Sequence, residues 1–165
     1  MGRSENTGFI NWGGKLLRTF FLISLSAFVG DQIFKALVVS YLKPGESLSL
    51  IPALLRLTYV KNPGGAFGIL AHHNHFFIIL SIVAVFLLLV FYWYFPKNFQ
   101  ISWGLGLLNG GILGNLVDRL RTGYVIDFVD LRVWPVFNFA DVFIFIGTVL
   151  LLLGLFSLRS YERER

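Results

Sequence analysis

The sequence predicts a mainly α, integral membrane protein: a four-transmembrane-helix bundle with a small extracytoplasmic β-sheet. Three observations carry this expectation. Hydrophobic residues make up 56% of the chain and charged residues 14%, well below the charge of about 25% usual in soluble domains, and the mean hydropathy is +0.72. Four segments approach the roughly 20 apolar residues that cross a bilayer. Between the first two lies a stretch with the two-residue alternation of strands. A single membrane domain is expected over 1–165, with a polar N-terminal tail at 1–15 and a sheet-and-loop insertion at 43–71.

The first span is expected from about Leu16 to Val39. Within it Asp31 and Lys35 stand four apart on one helical face, where an acid one turn before a base can pair. Two readings stay open, a structural ion pair at the membrane edge and a pair lining a site. A cleaved signal peptide ending near Ser24-Leu25-Ser26-Ala27 is the weaker reading, because apolar character resumes through Ile33, Phe34 and Ala36 to Val39.

In the insertion, Ser47-Leu48-Ser49-Leu50 alternates polar and apolar, and Leu55, Leu57 and Tyr59 alternate with Arg56, Thr58 and Val60. Two short strands separated at Pro52 follow, and Asn62-Pro63-Gly64-Gly65 is a turn by its chemistry. The second span, Phe76 to Phe95, has no charge and ends in Tyr92, Trp93 and Tyr94, in the manner of an interfacial aromatic belt.

The third span, about Trp103 to Val117, carries Gly106, Gly110 and Gly114 at four-residue intervals, a pattern that lets helices approach closely. It is expected to be the central packing helix, with Asn115 and Arg119 stacked on one face just beyond it. A third strand is expected over Leu131 to Trp134, before Pro135, and the fourth span over about Phe137 to Leu158. An even number of spans puts both termini on one side, and the sheet is expected on the other. Lys and Arg are nearly balanced between the sides, so the positive-inside rule favours cytoplasmic termini only weakly.

The chain has no cysteine, which excludes disulfides, thiolate nucleophiles and Cys-based metal sites. Its net charge of +5 is spread over termini and loops without a dense basic run, which suits anionic lipid headgroups and not nucleic acid. His72, His73 and His75 cluster before the second span but lack a His-Glu-x-x-His pattern, so an interfacial loop is expected there, with no metal and no cofactor.

Chemistry is expected of two acids at the edges of apolar segments, Asp127 in the loop after the third span and Asp141 near the start of the fourth. Carboxylates at or near hydrocarbon are costly and tend to be retained for use. Two acids a few ångströms apart cannot both ionise readily, so they share a proton, one activating water while its partner polarises a scissile carbonyl. Proton relays, ion sites and structural pairs use the same residues, and the physics alone leaves these open.

Five motifs appear in a fixed order: Asp31-Gln32-Ile33-Phe34-Lys35; Asn62-Pro63-Gly64-Gly65-Ala66-Phe67-Gly68; Gly110-Gly111-Ile112-Leu113-Gly114-Asn115-Leu116-Val117-Asp118-Arg119-Leu120; Val125-Ile126-Asp127-Phe128; and Phe137-Asn138-Phe139-Ala140-Asp141. In this the chain resembles lipoprotein signal peptidases, the signal peptidase II family, from about Asp31 to Gly147. The resemblance implies a four-helix aspartyl protease of the bacterial cytoplasmic membrane, its site on the extracytoplasmic side. The implied substrate is a diacylglyceryl-modified prolipoprotein, cut before its lipidated cysteine. It further implies Asp127 and Asp141 as the catalytic dyad, with Asp31, Lys35, Asn62, Gly111, Asn115, Asp118, Arg119, Asn138 and Ala140 in support.

Asp130 competes with Asp127, but the family pattern places the acid before the Phe. For Asp118, an ion pair with the adjacent Arg119 is the expected account, and Trp134 is placed to contact substrate lipid. The chain is expected to act as a monomer among membrane lipids. Rival readings are a small intramembrane proton or ion transporter lined by acidic residues and a noncatalytic lipid-binding or assembly subunit.

Overall fold

Glycine decides which helix occupies the middle. In the computed structural model, which describes residues 6–65, 73–94 and 98–163 with side chains from 14 to 159, four helices and three strands run in the order α1 (Asn6–Tyr41), β1 (Ser47–Ile51), β2 (Leu55–Asn62), α2 (Asn74–Tyr94), α3 (Phe99–Thr122), β3 (Val125–Asp130) and α4 (Phe139–Arg163). Residues 1–5, Ala66, Phe67, Gly68, His72 and Lys97 lie outside the described residues.

α3 is sandwiched between α1 and α4. A Cβ on Gly110 would stand 2.5 Å from the Ser24 carbonyl oxygen and one on Gly106 would stand 3.0 Å from that of Phe20, so the α1 backbone sits directly on this face. The opposite face meets α4 in the same way, since a Cβ on Gly104 would stand 2.7 Å from Leu151 N and one on Gly147 would stand 2.7 Å from Gly104 O. The first contact was legible as a four-residue glycine repeat, while the second joins glycines from two helices and has no signature in either.

α3 is longer than its apolar middle. Asn98 caps its start by accepting from Ile101 N at 2.8 Å, and Gly123 closes it with a left-handed φ of 82°, the conformation that glycine adopts most cheaply. Its 24 residues reach about 36 Å, enough to cross the hydrocarbon. Among the described residues only α1, α2 and α4 are apolar enough by composition to be spans on their own. α3 is the exception because protein, not lipid, surrounds it.

The helices alternate in direction. Phe20, Tyr92, Ile101 and Leu105 form one buried cluster with Leu151 and Leu155; Val38, Tyr59, Ile126 and Phe128 form another with Phe139. The first joins the early part of α1 and α3 to the late part of α2 and α4. Both terminal regions therefore lie at one end and the sheet at the other, as expected. Tyr92 departs from the expected aromatic belt, since it is buried and its ring lies 4.6 Å from that of Phe20, whereas Trp93 and Tyr94 are exposed.

The sheet is antiparallel in the order β1-β2-β3, with Pro52 in the turn between β1 and β2. The third strand is not Leu131 to Trp134 but Val125–Asp130, and Asp127 sits within it, not in a loop. Two valines and Phe128 make this run a sound β former, and Leu131-Arg132-Val133-Trp134 turns away, with Arg132 at a φ of 65°. Pairing of Val60 with Asp127 and of Asn62 with Val125 puts these four side chains on one face. Ile126 and Phe128 point the other way into the bundle.

Gly110→Val is expected to lower thermal stability in detergent by about 1–3 kcal/mol or more, the usual cost of overpacking. Gly30→Ala, where an added Cβ meets nothing within 4 Å, is expected to be neutral or to stabilise by up to ~1 kcal/mol. Melting both variants in one detergent checks the contrast; equal losses at the two positions would remove the close-approach account.

Candidate active site

Lys35 Nζ anchors the polar end of the bundle. A lysine ammonium has three donors, and here they meet Asp31 Oδ2 at 2.8 Å, Asp118 Oδ2 at 2.8 Å and Asn115 Oδ1 at 2.9 Å. Asp31 is fully buried and Lys35 is 2% exposed, so this is an ion network inside the protein. The partner of Asp118 is Lys35 from another helix and not the adjacent Arg119, because neighbouring positions on a helix point in different directions. Asp118 also accepts from Gln32 Nε2 at 3.0 Å and from Ile126 N at 3.1 Å, which leaves neither of its oxygens unpaired and ties β3 to α3.

Small residues let this network reach α4. A Cβ on Gly114 would stand 2.5 Å from Asp31 Oδ2, and one on Gly111 would stand 2.5 Å from Ala140 O. Ala140, fully buried, donates its N–H to Asp31 Oδ1 at 2.9 Å, so an orphan donor of the first turn of α4 meets a carboxylate from α1.

Asp141 is held by the start of its own helix. Asn138 Oδ1 accepts from Asp141 N at 3.0 Å while Asp141 Oδ2 accepts from Asn138 N at 3.2 Å, a reciprocal capping box with Asp in the usual Glu position. Its other oxygen accepts from Asn115 Nδ2 at 2.9 Å.

Asp127 accepts from Asn138 Nδ2 at 2.6 Å and from Asn62 Nδ2 at 2.9 Å. Asn138 thus touches both acids. Burial pushes the Asp127 carboxyl up to about 7, with the neighbouring Asp141 carboxylate acting in the same direction, and the two amide donors only partly offset this. Asp130 leaves the competition, since three residues along a strand it faces the other way, where it accepts from Thr58 Oγ1 at 3.0 Å.

A cleft of about 670 Å³ opens over the pair, lined by Val60, Asn62, Asn115, Arg119, Asp127, Trp134 and Asp141, and it continues along one face of α4 through Ile144, Phe145 and Thr148. Its polar groups gather around the two acids, while Ile144 and Phe145 make the face along α4 largely apolar, and Phe145 and Trp134 are both exposed. Arg119 faces the cleft and donates to Gly64 O at 3.2 Å.

All eleven residues singled out from the sequence meet in this one network or line its cleft. Gln32 was missed as a member, although a polar residue inside an apolar span was the available signal. The valines at 60 and 125 were also missed, since their place on the cleft follows from strand register alone. Among the described residues no group of three or more His, Asp or Glu is arranged to hold a metal ion, and His73 and His75 are exposed ahead of or within the first turn of α2.

The fold and site define a multi-pass helical membrane protein with paired acids at one end. A family model described as "Signal peptidase (SPase) II" matches residues 23–157. The chain is 44% identical to the lipoprotein signal peptidase of Moorella thermoacetica, over 80% of this chain and 89% of that one. With that of Pelotomaculum thermopropionicum it shares 43% identity over 88% and 97% of the two chains. A bacterial membrane enzyme structure obtained by the in meso method superposes with a TM-score of 0.83 at 34% identity, covering 89% of this chain and 93% of that one. The chain belongs to the signal peptidase II family. Its activity is that of a lipoprotein signal peptidase, an aspartic endopeptidase that cleaves signal peptides from prolipoproteins.

Lys35→Met leaves two buried carboxylates facing each other, and a buried pair broken from one side loses about 3–5 kcal/mol. The variant is expected to unfold at correspondingly lower denaturant, and Asp118→Asn in the same chain to recover part of the loss. Unfolding curves in a single detergent test this; an unchanged midpoint for Lys35→Met would sink the network account.

Proposed function

We propose that Asp127 and Asp141 are the catalytic acids of this signal peptidase. They act on a prolipoprotein carrying a diacylglyceryl group, at the bond before its lipidated cysteine. The observation that carries the assignment is Asn138, whose side-chain amide donates to the Asp127 carboxyl while its backbone N–H donates to the Asp141 carboxyl, so that one residue holds two carboxyls at a single cleft. A structural ion pair would instead match each acid to a cation, and in this structure Lys35 is spent on Asp31 and Asp118.

With Asp127 pushed up to about 7, it keeps the pair's shared proton near neutrality. The partner carboxylate takes a proton from a water whose oxygen attacks the scissile carbonyl carbon, and Asp127 gives its proton to the carbonyl oxygen. The resulting gem-diol collapses, the C–N bond breaks, and the amine leaves with a proton returned from the dyad. Arg119 adds positive charge beside the carbonyl oxygen. Asn62 aligns the extended peptide.

The form of the cleft supports a lipidated substrate. Its polar end at the two acids suits the peptide bond, and the apolar face of α4 through Ile144 and Phe145 suits acyl chains that remain in the bilayer. The site faces the extracytoplasmic side of the bacterial cytoplasmic membrane, with both termini cytoplasmic, and the chain works as a monomer among membrane lipids. A proton or ion path would need polar side chains at successive depths. Here the first buried cluster, Phe20, Tyr92, Ile101 and Leu105, closes the end opposite the acids with aromatic and aliphatic side chains.

Purified protein is expected to cut a diacylglyceryl-modified prolipoprotein and to spare its unlipidated form. Asp127→Asn and Asp141→Asn are each expected to lose at least about 100-fold in kcat while remaining folded, in the range of acid–base catalysis. Full activity in either variant removes that residue from the dyad. Because the protonated form of Asp127 serves, kcat/KM is expected to fall above about pH 7, by about tenfold per unit. Asn62→Ala, which removes a donor to the carboxylate, favours the acid form and moves that basic limb to higher pH. A limb that stays in place in Asn62→Ala would show that Asp127 does not set it.

A further inference from the structure

α2 is apolar and outward-facing for most of its length, and its first turn breaks that pattern. Asn74, its first residue, donates from Nδ2 to the Arg119 carbonyl oxygen at 3.2 Å. Phe77, three residues on and therefore on the same face, presents its ring to the Arg119 guanidinium, 4.8 Å from the centroid. Two side chains of one helical turn thus grip the backbone and the charged head of a single arginine on α3.

That arginine controls the turn beside Asp127. Its NH2 donates to Gly64 O at 3.2 Å, Gly64 N donates to Asn62 Oδ1 at 3.0 Å, and Asn62 Nδ2 donates to Asp127 Oδ2 at 2.9 Å. Among the described residues no carboxylate forms a direct ion pair with Arg119. Its long stem would otherwise sample several rotamers, and the Phe77 face restricts the guanidinium here together with the carbonyl oxygens of Gly64 and, at 3.5 Å, Asn115.

We propose that Phe77 is a positioning residue for the reaction, its ring holding Arg119 where Arg119 keeps the Asn62 turn closed on Asp127. The inference rests on the dyad reading above. It assigns a reaction-specific role to a helix that otherwise contributes apolar surface. A leucine or methionine at position 77 fills similar space but has no negative π face for the cation, so packing and positioning are separable.

The charged groups around Asp127 are Asp141 from α4, Arg119 from α3 and Lys35 from α1. Letting Arg119 swing away withdraws positive charge and loosens the Asn62 donor. Both changes favour protonated Asp127, so the basic limb moves up in pH.

The test compares the parent with Phe77→Leu, Phe77→Met and Phe77→Tyr on one lipidated prolipoprotein, normalised to folded protein, with Asp127→Asn alongside. Phe77→Leu and Phe77→Met are expected to lose about three- to thirtyfold in kcat/KM, the range of a cation–π contact, and to show the limb at higher pH. Phe77→Tyr is expected to restore both. If Phe77→Leu does not fold, Phe77→Met carries the comparison. Rates within about twofold of the parent, a loss without movement of the limb, or a Phe77→Tyr variant as impaired as Phe77→Leu each overturn the proposal. An active Asp127→Asn variant instead overturns the dyad reading, so the two failures are distinct.

Discussion

The ammonium of Lys35 is the interaction on which the rest depends. A buried lysine must have its three donors matched, and the acceptors, Asp31, Asp118 and Asn115, come from two helices. Each acceptor has further lone pairs or donors to satisfy, and these recruit the remaining elements. Asp31 takes an N–H of α4, Asp118 takes an N–H of β3, and Asn115 binds Asp141 and Asn138. The need to leave no buried polar group unpaired therefore builds the active end outward from one cation.

The paired acids sit at the rim of this network, where it meets the cleft. Asp141 is oriented by a helix cap and Asp127 by strand register, so neither depends on a mobile loop for its direction. Asn138 joins the two while capping α4, and any change in that helix start is felt by both. Such support from below, with an open cleft above, is what preorganised acid–base chemistry requires. α2, added to the outside of the bundle, reaches the same site through Arg119.

Much of this was readable along the chain. Asp31 and Lys35 paired as their four-residue spacing indicated, the glycines at 106, 110 and 114 did meet α1, and Pro52 did separate two strands. The misreadings share one cause. Placing Asp127 in a loop, pairing Asp118 with Arg119 and setting Tyr92 in an aromatic belt all relied on neighbours in sequence. The actual partners, Val60, Lys35 and Phe20, lie 67, 83 and 72 positions away.

The sequence by itself determined the solvent, the helices and the cast of polar residues, because apolar length, glycine spacing and costly charges are local properties of a chain in a membrane. Tertiary structure alone decided which acid faces the cleft, which carboxylates share Lys35 and which ring holds Arg119. Those outcomes depend on strand register and on helix faces meeting across the bundle, and a single chain read in order contains neither until the backbone brings them together.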